Sequence, residues 1–309
     1  MERKFPLYGI INSRKGTSAV LFSAIFTLLA LFAALTIDAG VIMIMKSKLS
    51  NTVDAAALAC AQELISQREN TDNMVRSYLE KNSGEVEQIE IEIADDDRTI
   101  EVSGVKPVDS YFAKVFGINK FTVSASATAK VENIKSLEGS RPLAVIQQTF
   151  SYGTVYTLKE GGGGGTSGNY AAMALGGTGG STYRDNLLNG YAGTISVGDM
   201  IETETGNIAG ATETSINYLL HECSHTPPCT YQYYNRNCPR IIFVPVVDSL
   251  EVNGKKYVKV LGFATFFLEG ISSHAGQADV IGRFVTYNMN GETSSEINDY
   301  GTYGIRLIK

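Results

Sequence analysis

TSAVLFSAIFTLLALFAALTI, residues 17–37, contains no charged residue and no proline. As a helix rising 1.5 Å per residue it is about 32 Å long, close to the roughly 30 Å hydrocarbon core of a bilayer. Thr17, Ser18, Ser23, Thr27 and Thr36 fit such a helix, because their hydroxyls can bond backbone carbonyls one turn back. A cleaved signal peptide fits less well. Its apolar region would be about 7 to 15 residues long, no small-x-small site precedes Asp38, and a second apolar stretch runs from Val41 to Met45. The reading is an uncleaved membrane anchor over 17–45, with Thr17 and Ile37 bounding its uncharged core and Asp38 at its outer end.

Arg3, Lys4, Arg14 and Lys15 precede the anchor, whereas Lys46 and Lys48 follow it. That bias places residues 1–16 in the cytoplasm and the chain from about residue 46 outside it, a single-pass topology in the cell membrane. Asp38 then serves either as an interfacial carboxylate or as the partner of another membrane helix. Composition narrows the rest. The 309 residues carry a net charge of −6, which argues against a nucleic-acid partner. A hydrophobic share of 44% against 19% charged residues indicates a folded chain, and 31 glycines with 7 prolines point to turn-rich strands.

Beyond the anchor, Leu49, Val53, Ala56, Ala57, Cys60, Leu64 and Ile65 recur at helical spacing, so the helix is expected to continue out of the membrane. A second helix can start at Thr71 or Asp72 and stop at Ser83-Gly84. Ile89, Ile91 and Ile93 alternate with acids, Asp95–Asp97 form a turn, and Ile100, Val102 and Val105 return, which predicts a hairpin. Pro107–Phe116 fits a short helix burying Tyr111, Phe112, Val115 and Phe116, and Phe121–Val131 alternates as a third strand. Residues 46–135 thus form a small helix-plus-antiparallel-sheet module.

The runs Arg14–Phe22 (RKGTSAVLF), Ala33–Gly40 (AALTIDAG) and Asn51–Ala59 (NTVDAAALA), with the later TVSASATA strand at 122–129, resemble the N-terminal region of TadG-like proteins of the Tad (Flp) pilus assembly system. The resemblance covers about residues 10–65 and implies a pilin-like, membrane-anchored, non-enzymatic component of a pilus assembly or secretion apparatus, with other Tad proteins as partners and no cofactor. The Ala-rich face also suits self-association through the anchor helix. Leu21 stands where pilin-like members cleaved by a prepilin peptidase carry Glu. Leu143–Ile146 runs into Gln147-Gln148-Thr149, without the Asp-x-Ser-x-Ser motif of the von Willebrand A domain found in many TadG proteins, so neither that fold nor its Mg site is expected.

From 140 to 309 the chain reads as a β-rich, glycine-rich outer domain, sandwich or barrel-like, with strands at Leu143–Leu158, Tyr170–Leu175, Gly193–Val197, Ile241–Val247, Tyr257–Leu268 and Val280–Asn288 and one helix near Ala211–Glu222. The whole is α+β. Gly161–Gly165 and Gly176–Gly180 read as hairpin loops, since a phosphate cradle needs a glycine turn entering a helix. Asp199, Glu202 and Glu204 near Asn207 match no calcium-loop spacing.

His221-Glu222-Cys223-Ser224-His225 spells HExxH. On a helix that pattern sets two imidazoles one turn apart to bind zinc, with Glu222 as general base, so a membrane-anchored zinc metallopeptidase is one alternative. Pro227-Pro228 follow at once, and a third ligand would be a distant acid such as Glu251 or Glu269. Cys223, Cys229 and Cys238 crowd the same stretch. In an exported domain a Cys229–Cys238 disulfide is the first expectation, and a structural zinc on Cys223, His225, Cys229 and Cys238 is the other. Cys60 reads as a small buried hydrophobe, and His274, near Ser272 and Ser273, as a surface loop residue. An envelope adhesion or binding domain is a further alternative.

Overall fold

The computed structural model describes residues 16–65, 88–160, 169–204, 208–249, 257–274 and 277–308. The helix expected from Thr71, the Gly161–Gly165 run, Asn207 and Glu251 lie outside them. The chain opens with one continuous helix, α1 (Thr17–Glu63), about 70 Å long at 1.5 Å per residue. Among the described residues it is the one helix long and apolar enough to cross a membrane, and its apolar window is wholly unburied. Ser23 donates to the carbonyl of Val20 and Thr27 to that of Ser23, at 2.9 and 2.8 Å, and Thr36 donates to that of Phe32. These hydroxyls are thus satisfied without water.

The C-terminal half of α1 is built for a different environment. Leu49, Val53, Ala56, Ala57, Cys60 and Leu64 of the expected stripe are buried, joined by Ala61, while Ile65 is only half-buried, and they pack on a sheet. That sheet begins with an antiparallel hairpin, β1 (Gln88–Ile93) and β2 (Thr99–Asp109), which sets Ile91 opposite Val102 and Ile93 opposite Ile100. In its turn the Asp96 carboxylate accepts the N–H groups of Arg98 and Thr99, each at 2.9 Å. The 18-residue strand β3 (Lys120–Leu137) pairs along the whole of β2. Ile100, Val102, Val123, Ala127, Ala129 and Val131 form a core with the helix stripe, each large aliphatic contributing about 1.5–3 kcal/mol on burial. The alanines of α1 allow the helix to sit close to the strands.

The other edge of β3 is taken by the end of the chain. Strand β14 (Thr302–Ile308) pairs antiparallel with β3, from Tyr303 opposite Asn133 to Ile308 opposite Thr128. The short strands β12 (Tyr287–Asn288), β13 (Glu292–Ser294) and β7 (Ile195–Ser196) complete this seven-stranded sheet. Glu132, its side chain only 2% exposed, receives both Nε and Nη2 of Arg306 across that seam, at 2.8 and 3.0 Å.

The second sheet also has seven strands: β4 (Leu143–Ile146), β5 (Val155–Glu160), β6 (Asn169–Ala172), β8 (Met200–Glu202), β9 (Ile241–Val247), β10 (Tyr257–His274) and β11 (Gln277–Val285). Their order is β11-β5-β6-β4-β9-β10-β8, and β11 also pairs with β10. Six strands therefore close on themselves, the barrel-like outcome expected, and closure removes the aggregation-prone edges an open sheet would present. Val244, Val246, Phe266, Leu268, Val280 and Phe284 make its core. Gly282 lies where a Cβ would stand 2.2 Å from the carbonyl oxygen of Phe267, so the β10–β11 approach requires glycine.

Two helices cover the barrel: α2 (Gly180–Asn189), through Tyr183 and Leu187, and α3 (Ala209–His221), through Ile216 and Leu219. The buried Tyr183 and Thr212 hydroxyls join them at 2.9 Å. Two expectations need correction. The Gly176–Gly180 run is not a hairpin loop, because it leads into α2. Its helix N-terminus is already served by a carboxylate, with Gly179 N–H donating to Glu204 at 2.8 Å. The helix expected over Pro107–Phe116 is also not formed as such: residues 107–109 extend β2, and only Ala113–Phe116 make a single 3-10 turn. Tyr111, Phe112, Val115 and Phe116, expected buried, are exposed.

Candidate functional site

Two constellations stand out, one on the barrel and one beside the apolar helix. The first begins at the end of α3. Its last residue, His221, turns its Nδ1 to the carbonyl of Asn217 at 2.7 Å, and Glu222 hydrogen-bonds the Tyr218 hydroxyl. Both face solvent. The helix stops there, so His221 and His225 do not share a helical face. His225 lies instead beside Cys223, Nδ1 to Sγ 3.6 Å. Of the distant acids considered for a third ligand, Glu269 is bound to Arg283 at 3.0 Å.

Cys223, His225, Cys229 and Cys238 bring one ligand atom each to within 4.8 Å of one another. Cys223, Cys229 and Cys238 are thiols, with the Sγ atoms of Cys238 and Cys223 3.4 Å apart. Cys229 and Cys238 are buried against Ile241, Phe267 and Val285. The Asn235 N–H points at Cys229 Sγ from 3.4 Å. Arg240 ties the group to the barrel, with Nη1 on the Cys229 carbonyl at 3.0 Å, Nε on the Leu268 carbonyl at 2.8 Å, and the guanidinium 4.6 Å above the Phe267 ring.

The two close thiols titrate unequally. Burial opposes ionisation of Cys223, but His225, the backbone at Cys229 and the Cys238 thiol together hold it down at about 6. Burial pushes Cys238 up to about 12. The arrangement is that of a thiolate at Cys223 accepting from a neutral Cys238, and thiolate is the form that binds soft metals. The four-residue set surrounds its centre with protein donors, which suits a structural ion better than a catalytic one.

The second constellation lies where the β2–β3 loop of the first sheet meets the apolar part of α1. Asp38 is only 4% exposed, at the point where the exposed N-terminal part of α1 gives way to Val41, Ile42 and Met45, half-buried against the first core. Its Oδ1 accepts the Tyr111 N–H at 2.8 Å, and its Oδ2 accepts those of Phe112 and Ala113 at 3.0 and 2.7 Å. One carboxylate therefore satisfies three backbone donors at the start of the 3-10 turn, a charge-assisted cap. The loop closes on itself, Ser110 N–H to the Asn119 carbonyl at 3.0 Å, with Gly117 in the left-handed region at φ 88°. Phe112, Val115 and Phe116 are 43, 81 and 73% exposed, with Tyr111 and Ile118 bare beside them. Ile37, Met43 and Ile44 on α1 are exposed as well. The sequence offers the lone Asp38 but not its partner, because nothing local marks a loop more than seventy residues onward as the ligand.

Among the described residues the remaining singled-out groups do not converge. Asp199 accepts the Ser196 N–H at 2.8 Å within its own turn, and His274, expected in a loop, is instead the last residue of β10, paired with Gln277, because the two strands run on, paired, to that point. No curated protein and no solved structure matches the chain. Residues 16–63, the whole of α1 with its cap, match the model of the Tad family, Flp pilus-assembly TadE/G-like.

Proposed function

We propose that the chain is a membrane-anchored, non-enzymatic component of a Tad/Flp-type pilus assembly or secretion apparatus. The match of α1 to that family carries the reading. In it, residues 17–45 cross the cell membrane, the N-terminus is cytoplasmic, and both sheets stand outside. Partners are the lipid bilayer, other Tad proteins and a second copy packed along the exposed apolar part of α1, since Ala56, Ala57 and Ala61 are already buried against the first sheet. The bare apolar surface of α1 supports the anchor. The loop held by Asp38 supports the placement of the boundary: Tyr111, Phe112, Val115, Phe116 and Ile118 around Lys114 have the mixed aromatic and basic character of an interfacial segment, so the loop rests in the outer leaflet beside the helix.

The metallopeptidase alternative requires His221 and Glu222 to meet a metal, and both are engaged with their own helix instead. Deletion of the gene with complementation tests the reading. Surface fibres are expected to vanish on deletion, to return with the native chain or with Glu222→Gln, and to stay absent when residues 17–45 are replaced by a cleavable leader. Normal fibres in the deletion strain would refute it.

A further inference from the structure

We infer that Cys223, His225, Cys229 and Cys238 form a structural zinc site that staples the 222–240 segment to the barrel. A tetrahedral ion with Zn–S near 2.3 Å and Zn–N near 2.05 Å places two sulfurs about 3.8 Å apart and a sulfur and nitrogen about 3.6 Å apart. The protein sets Cys223 and Cys238 sulfurs at 3.4 Å and the Cys223–His225 pair at 3.6 Å, with all four donors inside 4.8 Å. A single disulfide would use two of the three thiols and leave the third and the imidazole crowded against it, whereas one ion uses all four donors.

The surroundings match what a Cys3His ion needs. Three thiolates and a neutral imidazole give zinc a net charge of −1, and the Arg240 cation lies close by, bound to the carbonyl of one ligand, Cys229. The Asn235 N–H directed at Cys229 Sγ is the outer-shell donor that tunes a metal thiolate. Loading is balanced as Zn2+ displacing one proton from each cysteine that enters as a thiol to give the tetrahedral complex, with no change of oxidation state. The site is closed, so the ion's work is to hold an otherwise irregular segment against Ile241, Phe267 and Val285. The segment carries exposed Tyr233, and the staple fixes that surface relative to the barrel.

The full chain, produced with export and purified in detergent, is the material for the test. Elemental analysis is expected to give one zinc per chain. Cys229→Ser, Cys238→Ser and His225→Ala should each lower it at least tenfold, while His221→Ala leaves it intact. Because a ligand variant can also unfold, the native chain provides a second readout: cobalt replacing zinc should give the intense visible absorption of a tetrahedral thiolate site, and chelation should expose three titratable thiols. A zinc-free chain with two of the three cysteines joined as a disulfide would overturn the proposal, as would zinc that depends on His221 and survives loss of Cys229 and Cys238.

Discussion

Asp38 Oδ2 accepts the backbone N–H of Ala113 at 2.7 Å across 75 positions of sequence. Together with Tyr111 and Phe112, this bond fixes the β2–β3 loop to one height on α1. The helix and the sheet are thereby locked against sliding, and the exposed aromatics are held beside the anchor.

Replacing that carboxylate should release the loop before it unfolds the sheet. In Asp38→Ala, hydrogen exchange at Tyr111, Phe112 and Ala113 is expected to rise at least about tenfold, the scale of one lost hydrogen bond per amide. Exchange in the centre of β2, at Val102, should not change. Uniform loosening of both would indicate that Asp38 holds the whole module rather than the loop.

Glu132 links the end of the chain to β3 and predicts an acid limit to stability. Hydrogen bonding to Arg306, against the opposing effect of burial and with help from Thr293, holds its carboxyl below the ordinary glutamate range. A depressed folded pKa means that the pair stabilises the protein above the unfolded value, near 4.3. That contribution disappears as pH falls through the folded value. Arg306 is 55% exposed, so solvent screening keeps the gain modest. Thermal melts should show Glu132→Gln less stable than the native chain at neutral pH, with the difference shrinking below pH of about 4. A constant difference across that range would contradict the assignment.

Gly282 should be intolerant of any side chain. Its Cβ would meet the backbone oxygen of Phe267 at 2.2 Å and the Phe266 ring at 2.6 Å, and a paired backbone cannot yield cheaply. Gly282→Ala is expected to cost about 2–3 kcal/mol by overpacking. Gly117→Ala, in open space but at φ 88°, should cost about 1 kcal/mol through backbone strain alone. Denaturant titration of the two variants should give that order, and the reverse order would refute it.

Local patterning carries the elements that pack by their own periodicity. The Leu49–Leu64 stripe, the β1–β2 hairpin and the large strands of the barrel follow from apolar spacing, and the anchor follows from the uncharged run at 17–37. What stays hidden depends on distant pairing. Strand β14 completes the first sheet from the chain's last residues, and no feature of Thr302–Ile308 names β3 as its neighbour. Helix α2 escapes because only Tyr183 and Leu187 of its ten residues are buried, too few to set a period, with glycines ahead of it. Phe112, Val115 and Phe116 read as a buried face because apolar spacing alone does not distinguish a packed face from an exposed apolar one. At the cysteine cluster the residue types are legible, whereas the departure of His221 is not, since it follows from where α3 stops.

The chain contains no tryptophan, so a single introduced indole reports cleanly on its surroundings. Full-length Phe116→Trp in bilayer nanodiscs should emit in the blue and be strongly quenched by lipids brominated near the headgroup end of their chains. Tyr233→Trp, on the exposed 222–240 segment, should emit in the red and be untouched by the same lipids. If the indole at position 116 instead behaves like the one at position 233, while α1 still holds the chain in the disc, the loop does not rest on the membrane; if the chain fails to enter the disc at all, α1 is not its anchor.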